Sequence, residues 1–289
     1  MLEKTAYLTL GAGMRAILVY DLFHTGRSSV RAATLKTPPS RLLHPAFAVQ
    51  SGPHMDGTMS PANTLLSIIV PVLDEALLIN RTIRHVRRFA GYREIEIIVV
   101  DGHPAGHTLR SIADADVTKV ISAEGRGYQM NAGARIARGS LLLFLHADTR
   151  LPRRAALIIR DTLCQGDAVA GAFSLGIASR RPIFRWIETI ANVRSRISRI
   201  PYGDQAIFAR TDYFHRIGGF RHIPIMEDVD LMRRIKRDGR NIAIVPSKVQ
   251  TSPRRWEKEG IVYGTLRNWT LMALFLMGVS PRRLKKFYP

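Results

Sequence analysis

From residue 65 onward the chain alternates short, wholly apolar runs with stretches of helical spacing, and that alternation limits the fold more than any other feature. Leu66-Ser-Ile-Ile-Val-Pro-Val72 opens the series, and residues 76–89 then place Leu78, Ile79, Ile83 and Val86 on one helical face. A second run at 95–100 ends on Asp101, a short segment follows at 109–113, and a third run occupies 117–121. Gly125-Arg-Gly127 opens a helix expected over 128–138, and Leu141-Leu-Leu-Phe-Leu-His-Ala-Asp148 carries the fourth strand, 141–145, to an acidic tip. Strands apolar at nearly every position are buried on both faces, which requires helices above and below a mostly parallel sheet. Ligands of such sheets gather at the carboxyl ends of the strands, where Asp74, Glu75, Asp101 and Asp148 all fall.

The second half reads as a strand at 168–177, an amphipathic helix at 182–198, short strands at 205–209 and 242–245, and a helix at 229–237. Residues 1–63 lack either periodicity. They are expected to be an N-terminal extension, disordered, or a short arm on the domain, or the product of a start placed upstream of Met59. The main domain is expected over 64–255 and a helical tail over 256–289. In that tail, Trp269-Thr-Leu-Met-Ala-Leu-Phe-Leu-Met-Gly-Val279 precedes the basic run Pro281-Arg-Arg-Leu-Lys-Lys286. This pairing suits either a helix lying on an anionic membrane surface or one packed on the domain or a second subunit.

Charge narrows function less than its size suggests. The net charge is +20, from 43 basic residues of which 8 are lysine and 35 arginine. Such a field attracts nucleic acid, acidic membrane or phosphorylated substrate alike. Because the arginines are scattered over many helices rather than interleaved with aromatics, no specific nucleic-acid partner is expected. The single cysteine, Cys164, excludes a disulfide framework or a cysteine zinc site and fits a reducing cytosol. No run approaches the roughly 20 apolar residues of a bilayer span. The expected location is cytoplasmic, peripheral at the inner face of the cell membrane.

With these residues in view, the chain resembles the family 2 glycosyltransferases. Ser67-Ile-Ile-Val-Pro-Val-Leu-Asp-Glu75 is similar to their opening strand, Val99-Val-Asp-Gly102 to their second, His146-Ala-Asp148 to their D-x-D motif, and Glu227-Asp228 to their E-D motif. Gly125-Arg-Gly-Tyr-Gln-Met-Asn-Ala-Gly-Ala134 and Ser252-Pro-Arg-Arg-Trp-Glu-Lys-Glu-Gly260 narrow the resemblance to a small bacterial subgroup. It implies an α/β GT-A fold and inverting, metal-dependent transfer from a nucleotide-diphospho-sugar, with a UDP-sugar the first choice, to an unknown acceptor that is lipid-linked or apolar.

The roles follow by the same resemblance. Asp148 holds a divalent cation, Mn²⁺ or Mg²⁺, which offsets charge on the departing diphosphate. Asp228 is the general base and Glu227 positions the site. Pro71, Glu75, Asp101, Arg126 and Ala147 lie on the donor side. Asp204, Gln205, Arg254, Arg255 and Trp256 lie on the acceptor and phosphate side, the arginines suited to bidentate phosphate contact.

Residue by residue, blander roles stand beside these. Asp148 can cap a helix, Glu227 and Asp228 can offset a helix dipole, Asp230 competes with Asp228 for assignment, Gln129 and Asn131 can face the site or line a turn, and the arginines can be a solvated loop. The chain departs from the pattern after Asp101, where Pro104 and Gly106 stand in place of a hydroxyl and a carboxylate. That departure keeps open a catalytically silent nucleotide-binding relative. A sugar nucleotidylyltransferase is disfavoured because Leu73-Asp-Glu75 replaces the glycine-rich loop such enzymes carry.

Overall fold

The computed structural model describes residues 6–10, 14–18, 65–90 and 95–288. The rest of the expected N-terminal extension, Met59 included, lies outside the described residues. Strands β1 (Ala6–Leu10) and β2 (Met14–Leu18) pair antiparallel. Then come β3 (Leu66–Val72), α1 (Ile79–Phe89), β4 (Ile95–Asp101), α2 (His107–Arg110), β5 (Val117–Ile121), α3 (Arg126–Ile136), β6 (Leu141–Phe144) and α4 (Ala155–Cys164). The second half holds β7 (Ala168–Ile177), α5 (Pro182–Ser198), a 3₁₀ turn (Gly203–Gln205), β8 (Ile207–Arg210), α6 (Thr211–Arg216), α7 (Glu227–Arg237) and β9 (Asn241–Thr251). Helices α8 (Arg254–Glu259), α9 (Ile261–Leu276) and α10 (Pro281–Leu284) finish the chain.

All nine strands form one sheet in the order β1-β2-β5-β4-β3-β6-β8-β7-β9. From β5 to β6 every pairing is parallel, and β8 alone runs against both of its neighbours. The apolar runs of β3 are explained by the two faces they serve. Ile68 and Val70 pack with α1 and α4 in one core, while Ile69 packs with α3, α6 and α7 in the other. Helix α3 can lie this close to β3 only because position 133 is glycine. A Cβ there would sit 2.5 Å from Ile69 Cγ2.

The order 5-4-3-6 sends β4 and β6 away from β3 in opposite directions. The carboxyl end of β3 therefore opens onto the crevice where the strand order reverses, the place an open α/β sheet offers a ligand.

Strand β9 is longer than the sequence suggested. Its register against β7 jumps between Phe173↔Val245 and Ser174↔Lys248, leaving Pro246 and Ser247 in a bulge. A proline cannot donate to a ladder, so apolar patterning stops at 245 although pairing resumes beyond it. Among the described residues, no helix is long and apolar enough to cross a membrane.

Candidate active site

Three chain segments meet above the carboxyl end of β3. The first is the β3–α1 loop, in which Asp74 takes a left-handed conformation (φ 55°). The second is the tip after β6, where Thr82 of α1 donates a hydrogen bond to the Ala147 carbonyl and so fixes His146-Ala-Asp148. The third is the start of α7, where Met226 (φ 66°) makes the turn into Glu227. For residues other than glycine such a backbone costs about 1–2 kcal/mol each.

The cleft has a volume of about 1020 Å³, and Pro71, Glu75, Arg126, Ala147, Asp148, Arg254 and Arg255 all lie in its walls. A tighter recess of about 160 Å³ adjoins it, lined by Asp204, Asp228 and Trp256 and sharing Arg126, His146, Asp148 and Arg255 with the cleft. Asp148 and Asp228 thus border one recess. Gly203 allows that closeness, because a Cβ there would stand 3.1 Å from His146 Nε2 and 3.3 Å from Asp228 Oδ2.

The mouth of the cleft is a charge pair in solvent. One amino group of Arg254 reaches Glu75 at 3.2 Å and Asp148 at 3.3 Å, with all three side chains partly exposed. Deeper in, the groups are enclosed. Glu227, almost fully buried, pairs through Oε1 with Arg126 Nε at 2.8 Å, while its Oε2 has no partner. Burial opposes the charge on Arg126, but Glu227 and Asp228 hold its proton affinity above normal. Burial likewise pushes the Glu227 carboxyl up against the pull of Arg126.

Asp228 accepts from the Gly203 N–H at 2.6 Å through Oδ2 and from the Val229 N–H at 2.8 Å through Oδ1. Asp204 Oδ1 is shielded and unpartnered. Burial, then Asp228, pushes the Asp204 carboxyl up to about 6. Burial and Arg126 lower His146 to about 4, so its imidazole is neutral at pH 7.

Not every expected residue faces the site. Asp101 is fully buried, and its oxygens accept from the N–H groups of His103 (2.9 Å) and Thr108 (3.0 Å) in its own turn. Contrary to the expectation, it holds that loop and not a wall of the cleft. Gln205 also turns inward, donating to the Phe173 carbonyl at 3.0 Å. Gln129, although it lies in the cleft wall, has its amide occupied by the carbonyls of Val72 (2.7 Å) and Val100 (2.9 Å) at the ends of β3 and β4, and Asn131 clamps Phe220. Asp230 is engaged with Arg234 at 2.8 Å, which leaves Asp228 as the carboxylate of α7 in the recess. Trp256 lines the recess edge-on to Phe184, ring centroids 5.8 Å apart.

Sequence reasoning missed Tyr202, Asn268, Met272 and Tyr288 in the recess wall. The last three come from the tail, which packs Leu271, Phe275 and Leu284 against Ile225 and Val229 beside the start of α7. The periodic apolar spacing of Leu271 and Phe275 was the available signal.

Divalent cations suit this mouth. Asp148 and Glu75 offer hard oxygens, and a guanidinium already lies between them. Among the described residues no three His, Cys, Asp or Glu side chains form a metal cluster. Protein would therefore supply one or two ligands, with phosphates and water completing the shell.

Known proteins carry the same architecture. The mannosyltransferase PcManGT of Pyrobaculum calidifontis, solved with GDP-Man and Mn²⁺, superposes with a TM-score of 0.53 at 20% identity, over 66% of this chain and 57% of that one. S. aureus TarS (residues 1–349) gives 0.53 at 14% identity, over 77% and 69%. TarS with UDP gives 0.50 at 14%, over 65% and 60%. This chain thus spans little more than half of the mannosyltransferase's length, and the likeness establishes the GT-A fold. No curated protein sequence matches the chain significantly. The glycosyl transferase family 2 model matches residues 67–223, which hold the β3 end, Arg126, Asp148 and Asp204, and over that majority of its length the chain belongs to family 2.

Proposed function

We propose that the protein transfers a sugar from a nucleotide-diphospho-sugar to an acceptor hydroxyl, with inversion at the anomeric carbon and a divalent cation at Asp148. The observation that carries this reading is the recess bordered by both Asp148 and Asp228. One carboxylate can hold the cation on the leaving group while another faces the attacking hydroxyl. The cation, when bound, supplies Lewis-acid stabilisation of the developing diphosphate charge. Arg126 and Arg255 reach both cavities and can hold the phosphates. Asp228 takes the hydroxyl proton as the new bond forms. Glu227 fixes Arg126, and the neutral His146 imidazole can accept or donate a hydrogen bond beside Asp228.

UDP-sugars are our first choice of donor. The test is calorimetric titration with UDP, UDP-glucose, UDP-N-acetylglucosamine and GDP-mannose, with and without Mn²⁺. Mn²⁺-dependent binding of at least one, lost in Asp148→Ala, is expected; binding of none contradicts the reading.

We further propose cytoplasmic residence with peripheral contact to an anionic membrane, which would suit a lipid-linked or apolar acceptor. On α5, Ile183, Trp186, Ile190, Val193 and Ile197 recur at three- and four-residue steps, and all are exposed, Trp186 at 69% and Ile197 at 79%. Exposed Val262, Tyr263, Leu266 and Trp269 of α9 extend the patch, since Phe184, Ile187, Trp256 and Ile261 join the two helices. Arg180 and Arg181, just before α5, supply positive charge beside the patch, which disfavours a second copy of this chain as the cover and favours acidic headgroups. Trp186→Ala with Trp269→Ala is expected to reduce cosedimentation with phosphatidylglycerol vesicles. Equal sedimentation of both forms contradicts the contact.

A further inference from the structure

A second cavity, of about 700 Å³, lies against α1 and the segment after Asp148. It meets the donor cleft at Ala147, Asp148 and Arg254 and shares no other wall with it. Arg81, Arg84 and Arg88 enter it from α1, Arg150 from the strand-tip segment and Arg254 from α8. Asp148 is its only carboxylate, and Arg254 already engages that.

This concentration of charge is not the by-product of ion pairing. Among the described residues, none of Arg81, Arg84, Arg88 or Arg150 pairs with a carboxylate, whereas Arg87, on the other side of the same helix, pairs with Asp114 at 3.1 Å. Helix α1 contains no acidic residue. Like charges three and four positions apart on a helix repel, so the row is costly unless something negative sits in front of it. Its effect is already felt inside the cavity, where burial and then Arg150 and Arg81 disfavour protonation of His85. A merely solvated face would be convex. This one is concave and large enough for a phosphoryl group with part of its carrier.

We propose that this cavity is a second anion site, which binds the phosphoryl group of a ligand other than the nucleotide-sugar donor. Guanidinium groups from two directions match the bidentate geometry of a phosphate monoester. Arg254 stands in the partition between the two cavities. An anion on the α1 side competes with Asp148 for it and frees that carboxylate toward the cleft. The inference rests on the cavity and not on the transfer reaction, so the two fail separately.

The test is titration of the full-length protein with inorganic phosphate, in three forms. The triple variant Arg81→Gln/Arg84→Gln/Arg150→Gln changes only exposed, unpaired side chains, and a thermal melt confirms that it folds. Its phosphate affinity is expected to fall by at least about tenfold, while Lys258→Gln, which alters only the wall of the donor cleft, stays within about twofold of wild type. Single Arg84→Glu is expected to shift affinity in the same direction as the triple variant. Unchanged affinity in the triple variant, no measurable phosphate binding by the wild type, or a loss confined to Lys258→Gln would each overturn the proposal. Vesicles containing phosphatidic acid, compared with phosphatidylcholine alone, identify the source. Loss of phosphatidic-acid binding in the triple variant assigns a lipid headgroup, and unchanged vesicle binding with lost phosphate binding assigns a soluble phosphate ester.

Discussion

The mouth and the floor of the cleft use the same residue types to opposite ends. At the mouth, Glu75 and Asp148 share Arg254 in partly exposed positions, where ion pairs are worth little and exchange readily. On the floor, Glu227 and Asp204 are enclosed, each with one oxygen lacking a partner, and Asp228 is fixed by two backbone N–H groups. Ligands that must come and go belong at the first. A proton acceptor that must stay in place belongs at the second, where two backbone N–H groups hold the orientation of Asp228. On the proposed function, the difference separates binding from chemistry within one cavity system.

The sharpest way to break that division is at Asp228. Asp228→Asn removes the proposed base while leaving the mouth intact. Transfer is expected to fall by about 10²–10⁴-fold with donor affinity retained, measured as release of nucleoside diphosphate in the presence of acceptor. Turnover equal to wild type would remove the assignment.

Next comes the ion pair that supports the floor. Arg126→Ala leaves Glu227 enclosed without its partner and is expected to destabilise the fold by about 3 kcal/mol, at the low end for buried pairs because Arg126 is itself partly exposed. Chemical denaturation checks this. The corresponding change at the mouth, Arg254→Ala, is expected to shift stability by less than about 1 kcal/mol.

A pH-dependent effect is the most diagnostic of enclosure. The folded chain holds the Asp204 proton up to about pH 6, above the ordinary carboxylate range. Folding therefore weakens as pH rises from that range through about 6, since the unfolded chain gives up the proton first. Asp204→Asn should remove this loss. It is expected to be more stable than wild type by about 2 kcal/mol at pH 8, with the difference vanishing toward pH 4. A pH-independent difference would mean that Asp204 is not enclosed.

Much of the mouth was legible in the sequence, and less of the floor. The β3, β4 and β6 runs are apolar at almost every position because helices cover both faces, so their ends, and the acids there, can be located from pattern alone. Pro71, Glu75, Ala147 and Asp148, all at or after such strand ends, stand in the cleft walls. Asp101 sits at an equivalent strand end, but its fate depends on a turn that folds back to offer it two N–H groups, which no spacing rule announces. Gln205 is similar, its amide taken by the Phe173 carbonyl, 32 positions away. The floor also depends on the tail. Asn268, Met272 and Tyr288 enter the recess through long-range packing of α9 and α10 near α7. Residues 254–256, which the sequence alone also allows as a solvated loop, begin the short helix α8.

One measurement tests the division most directly. Asp148→Ala and Asp228→Asn are titrated side by side, with Mn²⁺, against the nucleotide-sugar that the wild type binds. The expected result is loss of Mn²⁺-dependent affinity by more than about tenfold in Asp148→Ala and retention within about twofold in Asp228→Asn. The reverse order, or equal losses in both, would contradict the assignment of binding to the mouth and chemistry to the floor.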